Sequence, residues 1–251
     1  MTFFSPLSFN YKHVLSALAI SSLSLGASIP VVQAQDIDSI NATFSVGYNS
    51  NTSGGNSRLT VQRNGHQYDA KFEAEHALMD ITQQARFNMK QCQVQPQSYS
   101  NNANPAFKSR VKENIAFDWG SKQASYTNND ADKNKRFGLV PALYDPLSFF
   151  FAARCDLMAG KTRFTYPLIY KGNERKHTYV VTGTQVVKTG IGDVEALVVQ
   201  RERSNKDRIT RFYVAPSWDY MLVKIEHRES ALAQASATLV SMDYKVSPMA
   251  Q

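Results

Sequence analysis

The stretch Leu59-Thr60-Val61-Gln62-Arg63-Asn64-Gly65-His66-Gln67-Tyr68-Asp69-Ala70-Lys71-Phe72-Glu73-Ala74-Glu75 decides the fold. Leu59 and Val61 alternate with polar residues up to Asn64-Gly65. Beyond it, Tyr68, Ala70, Phe72 and Ala74 alternate with Asp69, Lys71, Glu73 and Glu75. A period of two places one set of side chains against a core and the other in water. Asn-Gly between two such runs signals a hairpin, because both turn residues must take φ > 0. This part of the chain is therefore expected to be antiparallel sheet.

Working outward, the same pattern recurs. Ile40, Ala42, Phe44, Val46 and Tyr48 form an alternating strand, and Asn51 to Asn56 is expected to be a loop. Ile81, Ala85, Phe87 and Met89 suggest another strand. Residues 91–109 are rich in Gln, Asn and Ser and carry Pro96 and Pro105, so a long irregular connection is expected there. Val111, Ile115, Phe117 and Trp119 form a strand ending at Gly120. Ala124 and Tyr126 begin its return, and residues 128–136 read as an exposed loop. Asp145 can cap a helix and Pro146 suits its first position, with Leu147, Phe150, Phe151 and Leu157 as an apolar stripe and Gly160 as the stop. That helix is expected over 146–158. Strands follow at 162–170, 175–189, 193–203, 208–215, 218–228 and 234–245. Roughly ten strands with short turns and one helix predict a mainly β fold. It would be a curved antiparallel sheet forming a barrel or half-barrel, with the short helix packed on the concave face.

The chain has 251 residues, 43% apolar and 20% charged, which excludes disorder, collagen and coiled coil. Residues 1–34 hold no acid and a single Lys, Lys12. An apolar run from Val14 to about Gly26 precedes Ile29-Pro30 and Val32-Gln33-Ala34. This is the pattern of a cleaved signal peptide. An N-terminal membrane anchor is the alternative, but the run falls short of the ~20 apolar residues a span needs. Residues 35–251 are then a single β-rich domain with no transmembrane span. The net charge of +7 favours anionic surfaces only weakly, and export demotes nucleic acid as a partner. Cys92 and Cys155 are a disulfide candidate in an oxidising compartment, and two separate buried thiols are the alternative.

No constellation for catalysis stands out. Gly190-Ile191-Gly192 lies between strands and reads as a turn, not a dinucleotide loop. His66, His76, His177 and His227 are scattered and read as solvated surface residues. No metal or cofactor site is expected. Two features rise above the background. Arg201 and Arg203 share one strand face and Arg208 follows across a turn. They suit either a solvated outer face or contact with an anionic headgroup or a phosphate-bearing partner. Phe149, Phe150 and Phe151 cover more than one helix face, which suits core burial or a helix lidding an apolar cavity.

The order of several short segments carries a resemblance. Phe117-Asp118-Trp119 is followed by Tyr144-Asp145-Pro146-Leu147-Ser148 and an apolar helix to Arg154. Then come Tyr179-Val180-Val181-Thr182-Gly183, Thr189-Gly190 and Val194-Glu195-Ala196-Leu197-Val198-Val199. Last come Arg211-Phe212-Tyr213-Val214-Ala215, Trp218 and Leu222-Val223-Lys224-Ile225-Glu226. Over residues 40–245 the chain resembles the exported bacterial domain-of-unknown-function family 3108. The family often has Pro before the final Val-Lys-Ile run, where this chain has Leu222. The resemblance implies a place outside the cytoplasm, a sheet curved around a helix in a shape similar to periplasmic lipoprotein carriers, and no attached enzyme activity.

The expectation is thus a non-enzymatic periplasmic envelope protein holding an apolar or lipid-like ligand in the concave face of the sheet. Trp119, Phe149, Phe150 and Phe151 are the candidate lining, and Arg201, Arg203 and Arg208 the candidate headgroup contacts. The alternative is a scaffold that meets another envelope protein through a sheet edge or the 91–109 segment.

Overall fold

The computed structural model describes residues 35–248, apart from residues 50, 77–78, 107, 130 and 231–232, with backbone alone for 51–54 and 131. The expected leader, 1–34, lies outside the described residues. The strands are β1 (Gln35–Tyr48), β2 (Asn51–Asn64), β3 (Gln67–His76), β4 (Met79–Lys90), β5 (Gln93–Pro105), β6 (Val111–Asp118), β7 (Gln123–Asn128) and β8 (Lys135–Gly138). Helix α1 (Phe149–Met158) follows. Then come β9 (Arg163–Tyr170), β10 (Asn173–Thr189), β11 (Gly192–Arg201), β12 (Ile209–Ala215), β13 (Met221–Ser230) and β14 (Ala233–Pro248).

All strands form one 14-stranded sheet in the order β8-β7-β6-β5-β4-β3-β2-β1-β14-β13-β12-β11-β10-β9. Two hairpin meanders lie side by side, joined in the middle by antiparallel pairing of β1 with β14, Ile40 opposite Tyr244. The connection through α1 therefore runs from one end of the strand order to the other. A sheet long enough to separate those ends must curl for so short a helix to join them. The ends do meet: Lys135 Nζ donates to Asn173 Oδ1 at 2.9 Å, and Gly172 sits against the Tyr126 ring, where a Cβ would come within 2.7 Å. Tyr144, just ahead of α1, bridges to β9: its N–H donates to Pro167 O and its carbonyl accepts from Ile169 N–H, both at 3.0 Å. β8 and β9 do not pair with each other, so the barrel is not closed by backbone.

Several expectations need correcting. The Asn51–Asn56 loop is the start of β2. The irregular connection 91–109 is mostly β5, an interior strand between β4 and β6. Its Gln, Asn and Ser disguise it, yet Val94 and Tyr99 are buried. Pro96 sits beside a register shift opposite Phe87, where a missing N–H is tolerated. The segment is thus no free loop for a partner. The β2–β3 turn uses Gly65-His66, with Asn64 paired to Gln67; only Gly65 takes positive φ, at 62°, so Asn64 is not a turn centre. Tight turns with φ > 0 at both centres occur instead at Gln91-Cys92, at 47° and 63°, and at Lys171-Gly172, at 51° and 65°. Helix α1 starts at Phe149, after a turn at 146–148. That turn is held by Asp145, whose Oδ1 accepts from the N–H groups of Leu147 and Ser148 at 2.8 Å each, and whose Oδ2 accepts from Ser148 Oγ. Part of the expected 128–136 loop belongs to β8. Gly190-Ile191 is the β10–β11 turn, as the spacing suggested. It lies on β14, with Gly190 N–H donating to Leu239 O at 2.9 Å.

Candidate functional site

Helix α1 lies on the concave side and touches three separated parts of the sheet. Phe151 packs on Phe87 and Tyr68 of β4 and β3, with ring centroids 4.6 and 6.1 Å apart. Phe149 stacks on Tyr179 of β10 at 5.4 Å, and Phe150 meets Phe212 of β12 edge-on at 5.0 Å. Phe149 and Phe151 are buried core side chains, whereas Phe150 and Phe212 are only half-buried. Leu59 and Phe72 face each other in register and are half-buried too; Phe72 shares its face with Tyr68. The concave face thus keeps apolar side chains that α1 does not fully cover.

The C-terminal part of α1 is anchored. Cys155 forms a disulfide with Cys92 in the β4–β5 turn, Cα atoms 5.7 Å apart. Arg154, 5% exposed, donates from Nε to Asp219 O at 2.7 Å and from Nη1 to Gln35 O at 2.9 Å. Trp119 stands in the β6–β7 turn, stacked on Phe117 and donating from Nε1 to Pro96 O at 2.6 Å. The phenylalanines contact β3, β4, β10 and β12 and not the β6–β7 turn, so the sequence candidates divide between two places.

The other end of the concave face is cationic. Arg201 is in register with Tyr179, whose ring touches Phe149, so its side chain projects to the same side. Arg203, two residues on, donates from Nη2 to Thr210 Oγ1 at 3.2 Å. The Nε atoms of both arginines are buried without a hydrogen-bond partner. Burial and the adjacent Arg203 charge hold the Arg201 guanidinium below its ordinary pKa. His177 is 4% exposed, set between the rings of Tyr170 and Tyr179 at 5.5 and 6.4 Å, and its Nε2 is also unpartnered. Burial, reinforced by Arg201, Arg203 and Arg175, pushes its pKa down to about 3, so it is neutral at pH 7. The expectation of a solvated His177 is corrected: the charged run Glu174-Arg175-Lys176 concealed an inward position. Arg208 differs from the other two arginines. It donates to the exposed Glu229 carboxylate at 2.8 and 3.0 Å, which neutralises it.

An open groove of about 780 Å³ runs over β2 to β7, lined mainly by hydroxyl, amide and charged side chains such as Thr60, Gln84, Ser98 and Asn114; no residue of α1 lines it. Among the described residues, no group of three His, Cys, Asp or Glu could hold a metal, and no helix is long and apolar enough to cross a membrane.

The sequence matches the family described as protein of unknown function (DUF3108) over residues 43–239. The chain belongs to this family. For DUF3108 the chain supplies a structure in which nearly every matched segment is a strand of one curved sheet. It is similar to a crystal structure of a β-barrel-like protein of the domain of unknown function DUF1849 from Brucella abortus. The TM-score is 0.54 with 11% identity, over 85% of this chain and 99% of that one. At that identity the likeness is one of fold. No curated protein matches the chain.

Proposed function

We propose that this DUF3108 chain is a non-enzymatic envelope protein, exported to the periplasm, that binds an apolar or lipid-like ligand on the concave face beside α1. One observation carries the reading. Phe150 and Phe212 are left half-buried at an edge-on contact where α1 meets the concave face. Apolar surface in such a recess is where an acyl chain gains most from leaving water. Of the expected lining, Phe150 is the residue placed to meet ligand. Phe149 and Phe151 serve by holding the helix, and Trp119 by fixing the β6–β7 turn.

Titration with a fluorescent fatty acid tests this. Wild-type protein should bind it saturably and Phe150→Ala should weaken binding severalfold while remaining folded. Equal binding by both, or none by either, would contradict the reading. A second reading, a scaffold without small-molecule ligand, is favoured by the polar groove over β2–β7. It predicts no probe uptake and a co-purifying protein.

A further inference from the structure

We infer that the polar end of the concave face is a receptor for a phosphoryl group, with Arg201, Arg203 and His177 supplying its donors. The apolar part of the ligand rests on the reading above; the anion site stands on its own observations.

The first is charge without a counter-charge. Among the described residues, Arg201 has no ion pair or side-chain hydrogen bond, and Arg203 bonds only the Thr210 hydroxyl. The nearby carboxylates are engaged elsewhere: Glu202 pairs with Arg163, and Glu229 with Arg208 and His227. Arg201 and Arg203 are both half-buried, and taking even part of a guanidinium out of water costs free energy unless an anion meets it. Two neighbouring ones with like charge make the need greater.

The second is an excess of donors. A guanidinium has five N–H groups and no acceptor. Both Nε groups are shielded from water and unused. His177, more than nine-tenths buried, brings an unpartnered Nε2 to the same wall. Its low pKa keeps it from adding a third charge, so in the Nε2–H tautomer it offers a neutral donor. A carboxylate has two oxygens and one charge. A phosphoryl group has three oxygens and a charge near two, which matches two guanidiniums and an imidazole more fully.

The third is position. Tyr179 stacks on Phe149 and pairs in register with Arg201, so the cationic wall adjoins the apolar contact of Phe149, Phe150 and Phe212. A phosphate-bearing amphiphile would span both. A small phosphate ester would use only the first.

Calorimetric titration of the full exported chain, in buffer free of other multivalent anions, decides. Inorganic phosphate should bind saturably and acetate at equal ionic strength should not. The double variant Arg201→Gln/Arg203→Gln should bind phosphate roughly tenfold or more weakly, with an unchanged or higher melting temperature because two half-buried like charges without a counter-ion have been removed. Dodecyl phosphate binding more tightly than inorganic phosphate marks an amphiphile as the source. Equal binding marks a free phosphate, leaving the anion site standing while the apolar reading fails. Absence of saturable phosphate binding, equal binding of acetate, or undiminished binding by the double variant would overturn the inference.

Discussion

The buried guanidinium of Arg154 reaches back to the first described residue of the sheet, donating to the Gln35 carbonyl at 2.9 Å while its Nε holds Asp219 O. One side chain thereby ties α1 to β1 and to the β12–β13 turn. Arg154→Ala would leave two carbonyls without their donor and a hole in packed surroundings. A loss of about 2–4 kcal/mol in chemical denaturation is expected. A loss under half a kcal/mol would mean that the latch is not formed.

Cys92–Cys155 closes a sequence separation of 63 residues. Chain entropy alone assigns such a loop about 4 kcal/mol. Reduction, or Cys92→Ala/Cys155→Ala, should lower stability by that order and free α1 at its C-terminal end. Thiol labelling of unreduced, denatured protein should find no free thiol; two per chain would contradict the bond.

The three consecutive phenylalanines should behave differently. Phe151, packed on Phe87 and Tyr68, should cost about 3–5 kcal/mol on substitution by Ala. Phe150, half-buried, should cost less than half as much and change ligand binding instead. Equal stability losses at the two positions would place Phe150 in the core and remove it from the site.

Much of this arrangement was legible in the sequence. Alternation located β9 to β14 within a few residues, and Asp145-Pro146 marked the turn that leads into the helix, three residues ahead of its start at Phe149, because both are local signals. β5 was hidden because its Gln, Asn, Ser and Pro are poor strand formers, and its pairing with β4 and β6 comes from neighbours distant in sequence. The β1–β14 junction and the meeting of Lys135 with Asn173 are likewise non-local. The arginine pair was readable from its spacing of two. His177 was not, since three exposed charged residues precede it and nothing local announces that the strand turns inward there.

His177 should write itself into the pH dependence of stability. Its folded pKa, about 3, lies below the ordinary 6.5. As pH falls below 6.5 the unfolded chain takes up a proton that the folded chain refuses, so stability is full above 6.5 and declines toward pH 3. Between pH 7 and 4 this component is about 2–3 kcal/mol. Tyr170, Tyr179, Arg175, Arg201 and Arg203 face it, and burial pushes the Tyr179 hydroxyl further above its ordinary range. Carboxylates elsewhere titrate in that window, so the readout is the difference from His177→Gln in phosphate-free buffer. The variant should lose less stability over that interval than the parent. Parallel curves would show that His177 titrates freely.

The most direct measurement is native mass spectrometry of the protein isolated from the cells that make it. The account predicts a bound mass on the wild-type chain that carries phosphorus and an acyl portion. That mass should be depleted in Arg201→Gln/Arg203→Gln and in Phe150→Ala. Wild-type chain mass alone, together with failure of both dodecyl phosphate and the fluorescent fatty acid to bind, would contradict it.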